Sequence, residues 1–337
     1  MKKRDPLENL SYSSHLMVRI KERDYYGRPV GLFRCHFKIS PPVESECSTL
    51  SMSKKVCQLS AAVISNMDPR NSIEKDCQDT YFYAYYQCTL LVVLFDGHGK
   101  EGLPVVDFCS DFIKSYFKTH HSDFLDDPHL AISSVMTECD EELRENHQID
   151  TSLSGTTSIL CFLNGNTVYV GCVGDSRAVL GQSKPGLQQN APKRSNSKFV
   201  RQIIPSRPVL AIPLSVDQKP DLPVRADRIV KAGGRVKQMS DEDGNPVGPY
   251  RVWTQTKSMP GLAMSRSLGD EVSKTLGVIS TPVVSRFAIA NDFLIIASDG
   301  VWNVITDQEA VDFVEKFRHV ASRSRGKAEY PLMVRLR

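Results

Sequence analysis

The strongest constraint on the fold is an uncharged run rich in leucine and valine at residues 89–95, which leads into Asp96, Gly97 and His98. A short apolar run that ends in turn residues is typical of a strand buried on both faces. Because neighbouring strands hold such an element, we expect it to present a carboxylate, a glycine and an imidazole at a fixed place. The same residues also fit a simpler interpretation, a strand that ends in an ordinary Asp-Gly turn.

A second buried strand with the same ending is predicted later in the chain. Residues 292–298 form a near-continuous apolar run that leads into Asp299 and Gly300. A third acid, Asp79, precedes an aromatic run at residues 81–86, where it would face Asp96 if the two strands were neighbours. From its position alone, Asp79 also fits a loop acid that caps the backbone or faces solvent.

Asp79, Asp96 and Asp299 together would form a cluster of hard oxygen ligands, which suits Mg²⁺ or Mn²⁺ and does not suit zinc. Carboxylates brought together without a cation repel one another, so a convergent cluster would indicate a metal site. Two such ions activate water and polarise a phosphoryl group, and His98 would then protonate the leaving oxygen. The alternative for His98 is a structural imidazole that bonds to the backbone.

The remaining pattern predicts a mixed strand and helix protein. Apolar residues at spacings of three and four predict amphipathic helices at residues 105–116, 130–147 and 223–232, and Thr306 with Glu309 predicts the capping box of another helix. Asn164-Gly165 between two apolar runs predicts a β-hairpin, and residues 56–64 predict an early strand. The acidic run at residues 138–142 is interpreted as a solvated helix face.

Composition argues against several classes of protein. A net charge of +3 does not favour nucleic-acid binding, and the basic insertion at residues 183–208 lacks interleaved aromatic residues. No apolar run approaches the ~18 residues of a membrane span, and the amino end does not lead into a signal peptide. We therefore expect an intracellular protein, in the cytoplasm or the nucleus. Nine cysteines without a Cys-x-x-Cys pair suggest neither disulfides nor a zinc site.

Six segments stand in a fixed order between residues 79 and 311. They are FDGHG (95–99), SGTTSILCFL (154–163), VGDSRAVLG (173–181), DQKPDLPVRADRIVKAGGRV (217–236), PGLAMSRSLGD (260–270) and SDGVWNVITDQEAV (298–311). Together they resemble the motif series of the metal-dependent PPM, or PP2C, protein serine/threonine phosphatases. The resemblance implies an α+β fold, a sandwich of two antiparallel β-sheets flanked by helices in α-β-β-α layers, with the metals in a cleft at one end.

The resemblance also implies a role for each site residue. Asp96 resembles the carboxylate that bridges two Mg²⁺ or Mn²⁺ ions, and Gly97 resembles the glycine whose carbonyl binds one of them. Asp79 resembles the first acidic ligand and Asp299 the late one. His98 resembles the general acid.

Further positions concern a weaker third ion and the substrate. Asp175, in GDSR, resembles an acid that helps to hold this third ion together with Asp299. The family's DGxWD is DGVWN here, so Asn303, a weaker neutral ligand, replaces an acid. Asp270 lies in a motif near the family's substrate cleft and is interpreted as structural. The nearest counterpart of the arginine that grips the substrate phosphate is Arg70, which is displaced upstream.

The resemblance predicts an amino-terminal extension at residues 1–55 and a phosphatase domain at residues 56–337. The family normally closes with a strand led by an acidic residue that supplies another metal ligand, and no such segment is recognised after residue 320. The domain is therefore expected to lack its carboxy-terminal strand, with a less stable sheet edge and a weakened metal site. The alternative is that residues 331–336, the only remaining apolar stretch, take over this edge.

Two functions of different classes follow. The first is a Mg²⁺/Mn²⁺-dependent phosphatase that acts on phosphoserine and phosphothreonine in phosphoproteins, as a monomer without nucleic acid or a membrane span. The second is a catalytically weak or inactive homologue that binds phosphoproteins or a regulatory partner.

Overall fold

The computed structural model describes residues 48–52, 55–60, 77–183, 209–290, 293–321 and 333–336. Most of the predicted extension, Arg70 and the predicted insertion from residue 184 to residue 208 lie outside these residues. Within them the strands are β1 (Ser48–Met52), β2 (Lys55–Ser60), β3 (Asp79–Tyr86), β4 (Thr89–His98), β5 (Gly155–Thr156), β6 (Ser158–Asn164), β7 (Thr167–Val173), β8 (Arg177–Ser183), β9 (Val209–Pro213), β10 (Gly234–Ser240), β11 (Pro246–Thr254), β12 (Pro260–Leu262), β13 (Leu268–Gly269), β14 (Val283–Ala288), β15 (Phe293–Ala297) and β16 (Met333–Leu336).

The helices of the described residues lie mainly in three groups, between β4 and β5, between β9 and β10, and after β15. They are α1 (Gly102–Thr119), α2 (His121–Asp126), α3 (Pro128–Glu145), α4 (Pro223–Lys231), α5 (Glu271–Lys274), α6 (Asp299–Trp302) and α7 (Asp307–Ala321). The predicted helices α1, α3 and α4 are confirmed. So is the capping box of α7, because the backbone N–H of Thr306 donates to Glu309 Oε2 at 2.9 Å.

Two antiparallel sheets form the centre of the molecule. The first has the strand order β1-β2-β16-β15-β8-β9, and the second has the order β13-β5-β4-β6-β7-β14, with β3 paired to β4. The predicted hairpin is β6 and β7, where Asn164 pairs with Thr167 across the turn. The predicted boundary at residue 56 falls inside the hairpin of β1 and β2, because Met52 pairs with Lys55.

Alternation along β4 shows why this strand carries no charge before Asp96. Leu90 and Val92 belong to the cluster between the two sheets, while Leu91, Val93 and Phe95 belong to the cluster under α1, α2 and α3. Successive side chains of a strand point to opposite faces, so a strand covered on both faces must be apolar throughout. The first sheet is covered in the same way by α7, which packs on β8, β9 and β15. The predicted α+β sandwich with helices on both outer faces is confirmed.

A small three-stranded sheet of β10, β11 and β12 stands apart from the sandwich and packs against α4. Its apolar cluster is small and centres on Ile229, Val252 and Leu262. The pattern of residues 234–262 predicted only a turn at residues 244–248, because most side chains of these strands are exposed or half-buried and show no clear alternation.

One part of the predicted fold is wrong. A strand does return after α7, since β16 lies between β2 and β15 and runs antiparallel to both. Val334 pairs with Leu294 on one side and with Leu59 on the other. Without β16 both neighbours would carry unpaired backbone groups, and this cost favours filling the position with the short apolar segment that the chain offers. Residues 333–336 contain no acid, so they do not supply the expected ligand.

Candidate metal and catalytic site

Four carboxylates converge where the buried strands end. Asp79, at the start of β3, is the register partner of Asp96 near the end of β4. Asp299 follows β15 as the first residue of α6, and Asp175 lies in the turn between β7 and β8. Burial raises the pKa of Asp96 to about 9, and the charges of Asp79, Asp299 and Asp175 act in the same direction. The four side chains are therefore close enough to repel one another.

Hydroxyl groups contact the Asp79 carboxylate and the backbone of Asp96. Ser298 Oγ donates to Asp79 Oδ2 at 2.7 Å, which partly offsets the rise that burial causes in the pKa of Asp79. The backbone N–H of Asp96 donates to Thr157 Oγ1 at 3.1 Å, and Thr157 Oγ1 lies 2.7 Å from Ser176 Oγ. None of these three hydroxyl residues was predicted as part of the site. All three lie in the recognised motifs SGTT, GDSR and SDG, which was the available signal.

Position 97 has no room for a side chain, so it must be glycine. A Cβ atom there would lie 2.9 Å from the carbonyl oxygens of Gln78 and Gly102 and from a methyl group of Val106, closer than real side chains approach. The backbone of β4 thus lies directly against the start of α1 immediately beside Asp96. This close approach explains the glycine, and the predicted role of its carbonyl as a metal ligand stays a prediction.

The donor set fits two hard cations. Asp79, Asp96 and Asp299 supply only carboxylate oxygens, and their mutual repulsion would be relieved by positive charge. In the described part of the chain no group of three or more His, Cys, Asp or Glu side chains is arranged so that it could hold an ion directly. Mg²⁺ is commonly bound through one or two carboxylates while water completes its shell, so the chemistry of these residues still fits such ions.

The position of the predicted third ion does not fit a metal. The ammonium group of Lys219 forms an ion pair with Asp175 Oδ2, and the side chains of Asp175 and Lys219 are 6% and 29% exposed. Asn303 Nδ2 donates to Asp299 Oδ2 at 2.9 Å. A carboxylate oxygen that accepts a hydrogen bond from an N–H group is less available to a cation, and Asn303 brings no charge of its own.

Gln218 fixes the loop that carries Lys219. Its side chain is fully buried, accepts from Gly174 N at 2.8 Å and donates to Cys172 O at 2.8 Å. Gly174 has φ 105°, and a Cβ atom there would meet Thr157 at 2.7 Å. The DQKP and VGDSR segments are thus one hydrogen-bonded unit, which places a lysine against Asp175.

Arg177 accounts for several other motif residues. Its Nε and Nη2 atoms donate to Asp217 at 2.8 and 2.7 Å, and Nη1 pairs with Asp307. The guanidinium carbon lies 5.4 Å from the centre of the Trp302 ring, whose Nε1 donates to Ala297 O at 2.9 Å. These contacts tie β8, β15 and α7 together, so this part of the motif series is structural.

His98 contacts an acid that was interpreted as structural. His98 Nε2 lies 2.7 Å from Asp270 Oδ2, and the side chains are 25% and 3% exposed. Burial by itself lowers the pKa of His98, but the charge of Asp270 and its hydrogen bond outweigh burial and hold the pKa above its usual value. The backbone carbonyl of Asp96 acts in the same direction. The imidazole is therefore fixed beside the carboxylate cluster.

Comparison with known proteins agrees with this architecture. The family model of protein phosphatase 2C matches residues 90–329. The chain is 35% identical over 251 residues to the probable protein phosphatase 2C 64 of Oryza sativa subsp. japonica, a match that covers 72% of this chain and 52% of the rice protein. It is 31% identical over 265 residues to the probable protein phosphatase 2C 34 of Arabidopsis thaliana, covering 72% of this chain and 66% of that protein.

Solved structures share the fold. The serine-threonine phosphatase 2C from Toxoplasma gondii has a TM-score of 0.62 at 17% identity, over 86% of this chain and 97% of that chain. A C. elegans sex determining protein has a TM-score of 0.55 at 15% identity, over 88% of this chain and 66% of that one.

Fold and site together define a layered α+β protein with an acidic centre at the ends of its buried strands. The chain belongs to the protein phosphatase 2C family, whose members are in general metal-dependent protein serine/threonine phosphatases. It spans about half to two thirds of the length of the rice and Arabidopsis relatives described above. Among the described residues, no helix is both long enough and apolar enough to cross a membrane.

Proposed function

We propose that this chain is a Mg²⁺- or Mn²⁺-dependent phosphatase that hydrolyses phosphoserine and phosphothreonine in proteins. The observation that carries the proposal is the convergence of Asp79, Asp96 and Asp299 at the ends of two buried strands and the start of a third, in a chain of this family. When bound, two ions lower the pKa of a water molecule and polarise the phosphoryl group. Asp175 forms its ion pair with Lys219 and is not counted as a metal ligand, so we propose two ions and no third.

The chain's own residues divide the remaining work. Asp79, Asp96 and Asp299 would hold the ions, with Ser298 Oγ orienting the Asp79 carboxylate and Thr157 Oγ1 fixing the backbone at Asp96. His98 would supply a proton to the leaving oxygen of the serine or threonine, a group that leaves poorly without protonation. Hydrolysis by water needs no covalent intermediate with the protein.

The direct test is hydrolysis of p-nitrophenyl phosphate and of a phosphothreonine peptide by this chain in the presence of Mn²⁺. Activity should appear with Mn²⁺, disappear with a chelator and be absent from Asp96→Asn, which removes one of the three carboxylate charges that would hold the ions. Activity that survives exhaustive chelation would rule out the proposal.

One observation favours the second function, a weak or inactive homologue that binds phosphoproteins. The described residues contain no group of three or more potential ligands arranged to hold an ion directly, and β16 adds no acid. Such a protein would retain a phosphothreonine peptide with measurable affinity and show no turnover at any Mn²⁺ concentration. Turnover under these conditions would exclude it.

A further inference from the structure

His98 and Asp270 meet across a strand that places no side chain between them. His98 of β4 is the register partner of Gly155 in β5, and Gly155 is the partner of Gly269 in β13. Asp270 follows Gly269 directly in the chain. A Cβ atom at Gly155 would lie 2.3 Å from Asp270 Oδ2, closer than real side-chain atoms approach. Gly155 therefore leaves the space in which the imidazole and the carboxylate contact each other.

The backbone of Asp270 has a conformation that most residues avoid. Its φ and ψ are 57° and 49°, in the left-handed region, and Gly269 before it has φ 76°. The amide of Asp270 donates to Ser154 O at 2.9 Å, and the amide of Gly269 donates to Asp140 Oδ1 at 2.8 Å. Backbone strain of this kind persists where the surrounding structure fixes it, and it concentrates at functional sites. In this left-handed conformation the Asp270 carboxylate reaches His98 Nε2.

Burial makes the pair well suited to orient a ring. Asp270 is almost fully buried, while a quarter of the His98 side chain remains exposed. A buried carboxylate that accepts a hydrogen bond from one ring nitrogen sets both the orientation of the imidazole and the nitrogen that carries the proton.

We propose that Asp270 is the positioning residue for His98. Its carboxylate accepts a hydrogen bond from the Nε2–H group and holds the imidazole beside the carboxylate cluster, so that the proton passed to the leaving oxygen of phosphoserine or phosphothreonine comes from Nδ1 of the protonated ring, which returns to the neutral Nε2–H form. This role, which rests on the proposed phosphatase function, adds no chemical step. Asp270 itself touches neither the substrate nor the reacting atoms.

The first test is Asp270→Asn, because asparagine has nearly the same shape and tolerates the left-handed conformation. The kcat for a phosphothreonine peptide should fall by about 10–100-fold, as is usual when a residue that orients a catalytic group is lost, while KM stays unchanged. p-Nitrophenyl phosphate, whose leaving group needs little protonation, should lose far less. The matched control is Glu271→Gln, which removes one charge at the next position and keeps the bond to Thr151 Oγ1; it should behave like the wild type.

The second test combines Asp270→Asn with His98→Ala. If Asp270 acts through His98, the double variant should have the same kcat for the phosphopeptide as His98→Ala alone. Losses that multiply would overturn the proposal. An equal fall in kcat for both substrates in Asp270→Asn would also overturn it, because it would indicate that Asp270 only stabilises the local structure.

A third measurement separates this proposal from the proposed function. The ¹⁵N NMR signals of the His98 ring report which nitrogen carries the proton, and they should differ between the wild type and Asp270→Asn but not between the wild type and Glu271→Gln. Unchanged ring signals in Asp270→Asn would overturn the positioning role even in an active enzyme. A wild type that hydrolyses neither substrate would refute the proposed function. Ring signals that change in Asp270→Asn would then still support the conclusion that Asp270 orients the His98 imidazole.

Discussion

Asp96 is the residue at which stability and function conflict most directly. Its half-buried carboxylate lies among three others, and burial together with their charges raises its pKa to about 9, so keeping it charged without a cation is unfavourable. We expect Asp96→Asn to raise the Tm of the metal-free protein, by about 2 °C for each kcal/mol gained, because the amide avoids the cost of burying or protonating a carboxylate among other acids. The same change should abolish phosphatase activity.

Thermal unfolding with a chelator and with Mn²⁺ checks this prediction. Binding to the folded state should raise the Tm of the wild type, and this Mn²⁺-dependent rise should be much smaller in Asp96→Asn. The control is Asp126→Asn, which replaces an exposed acid of α2. Equal Mn²⁺-dependent shifts in the wild type and in Asp96→Asn would contradict the assignment of Asp96 as a ligand.

The number of ions that the proposed site binds is expected to depend on Lys219, which forms an ion pair with Asp175. Because its ammonium group already neutralises Asp175, we expect the wild type to bind two Mn²⁺ ions. Lys219→Met should leave Asp175 without a cation and create a further, weak Mn²⁺ site. Calorimetric titration or electron paramagnetic resonance measures the number of ions directly, and Lys231→Met, at an exposed position of α4, is the control. Three ions bound to the wild type would show that the prediction is wrong.

At the scale of elements, the contact of α2 with β4 depends on a neutral histidine. His121 is 6% exposed, and its Nε2 lies 2.9 Å from Thr89 Oγ1. The rings of Tyr86 and Phe117 stand edge-on to the imidazole at 4.7 and 5.2 Å. Burial lowers the pKa of His121 below its usual value of 6.5. Protonation of this ring therefore opposes folding.

The sign of the pH dependence follows from the lowered pKa. Below 6.5 the unfolded chain binds the proton before the folded one, so the contribution of His121 is complete above 6.5 and is lost as the pH falls further. We expect the free energy of unfolding in urea of the wild type, taken relative to that of His121→Gln, to decrease as the pH falls from about 6.5 to about 5.5, because this difference isolates His121 from the carboxyl groups that also titrate. His129→Gln, at an exposed position of α3, should keep the full decrease. The same pH dependence in both variants would assign it to other groups.

At the scale of the whole molecule, β16 joins two parts of the first sheet, because it lies between β2 and β15. Val334 is paired on both sides, so Val334→Pro removes its N–H group from a central strand. We expect a loss of about 1–3 kcal/mol in the free energy of unfolding, as for a buried group left without its partner. Val334→Thr, which keeps the backbone pairing, should lose less. Equal stability of Val334→Pro and the wild type would mean that the sheet does not depend on β16.

Much of the local structure was predictable because it depends on neighbours in the chain. The apolar run of β4, the hairpin at Asn164 and the capping box at Thr306 are each determined within about ten residues, where period and turn chemistry act directly. The small sheet of β10 to β12 was missed, and β16 was expected only as an alternative, for the opposite reason. Their residues carry no strong alternation, and they become strands because other strands offer backbone partners.

The candidate site shows the same division. The sequence by itself determined which acids end the buried strands, since Asp96 and Asp299 follow apolar runs that can lie only in a core. Only the tertiary structure decided what those acids contact. Lys219 reaches Asp175 across 44 positions of the chain, and His98 reaches Asp270 across 172. Such contacts depend on register between strands and on the space left by Gly155, and no local pattern encodes either.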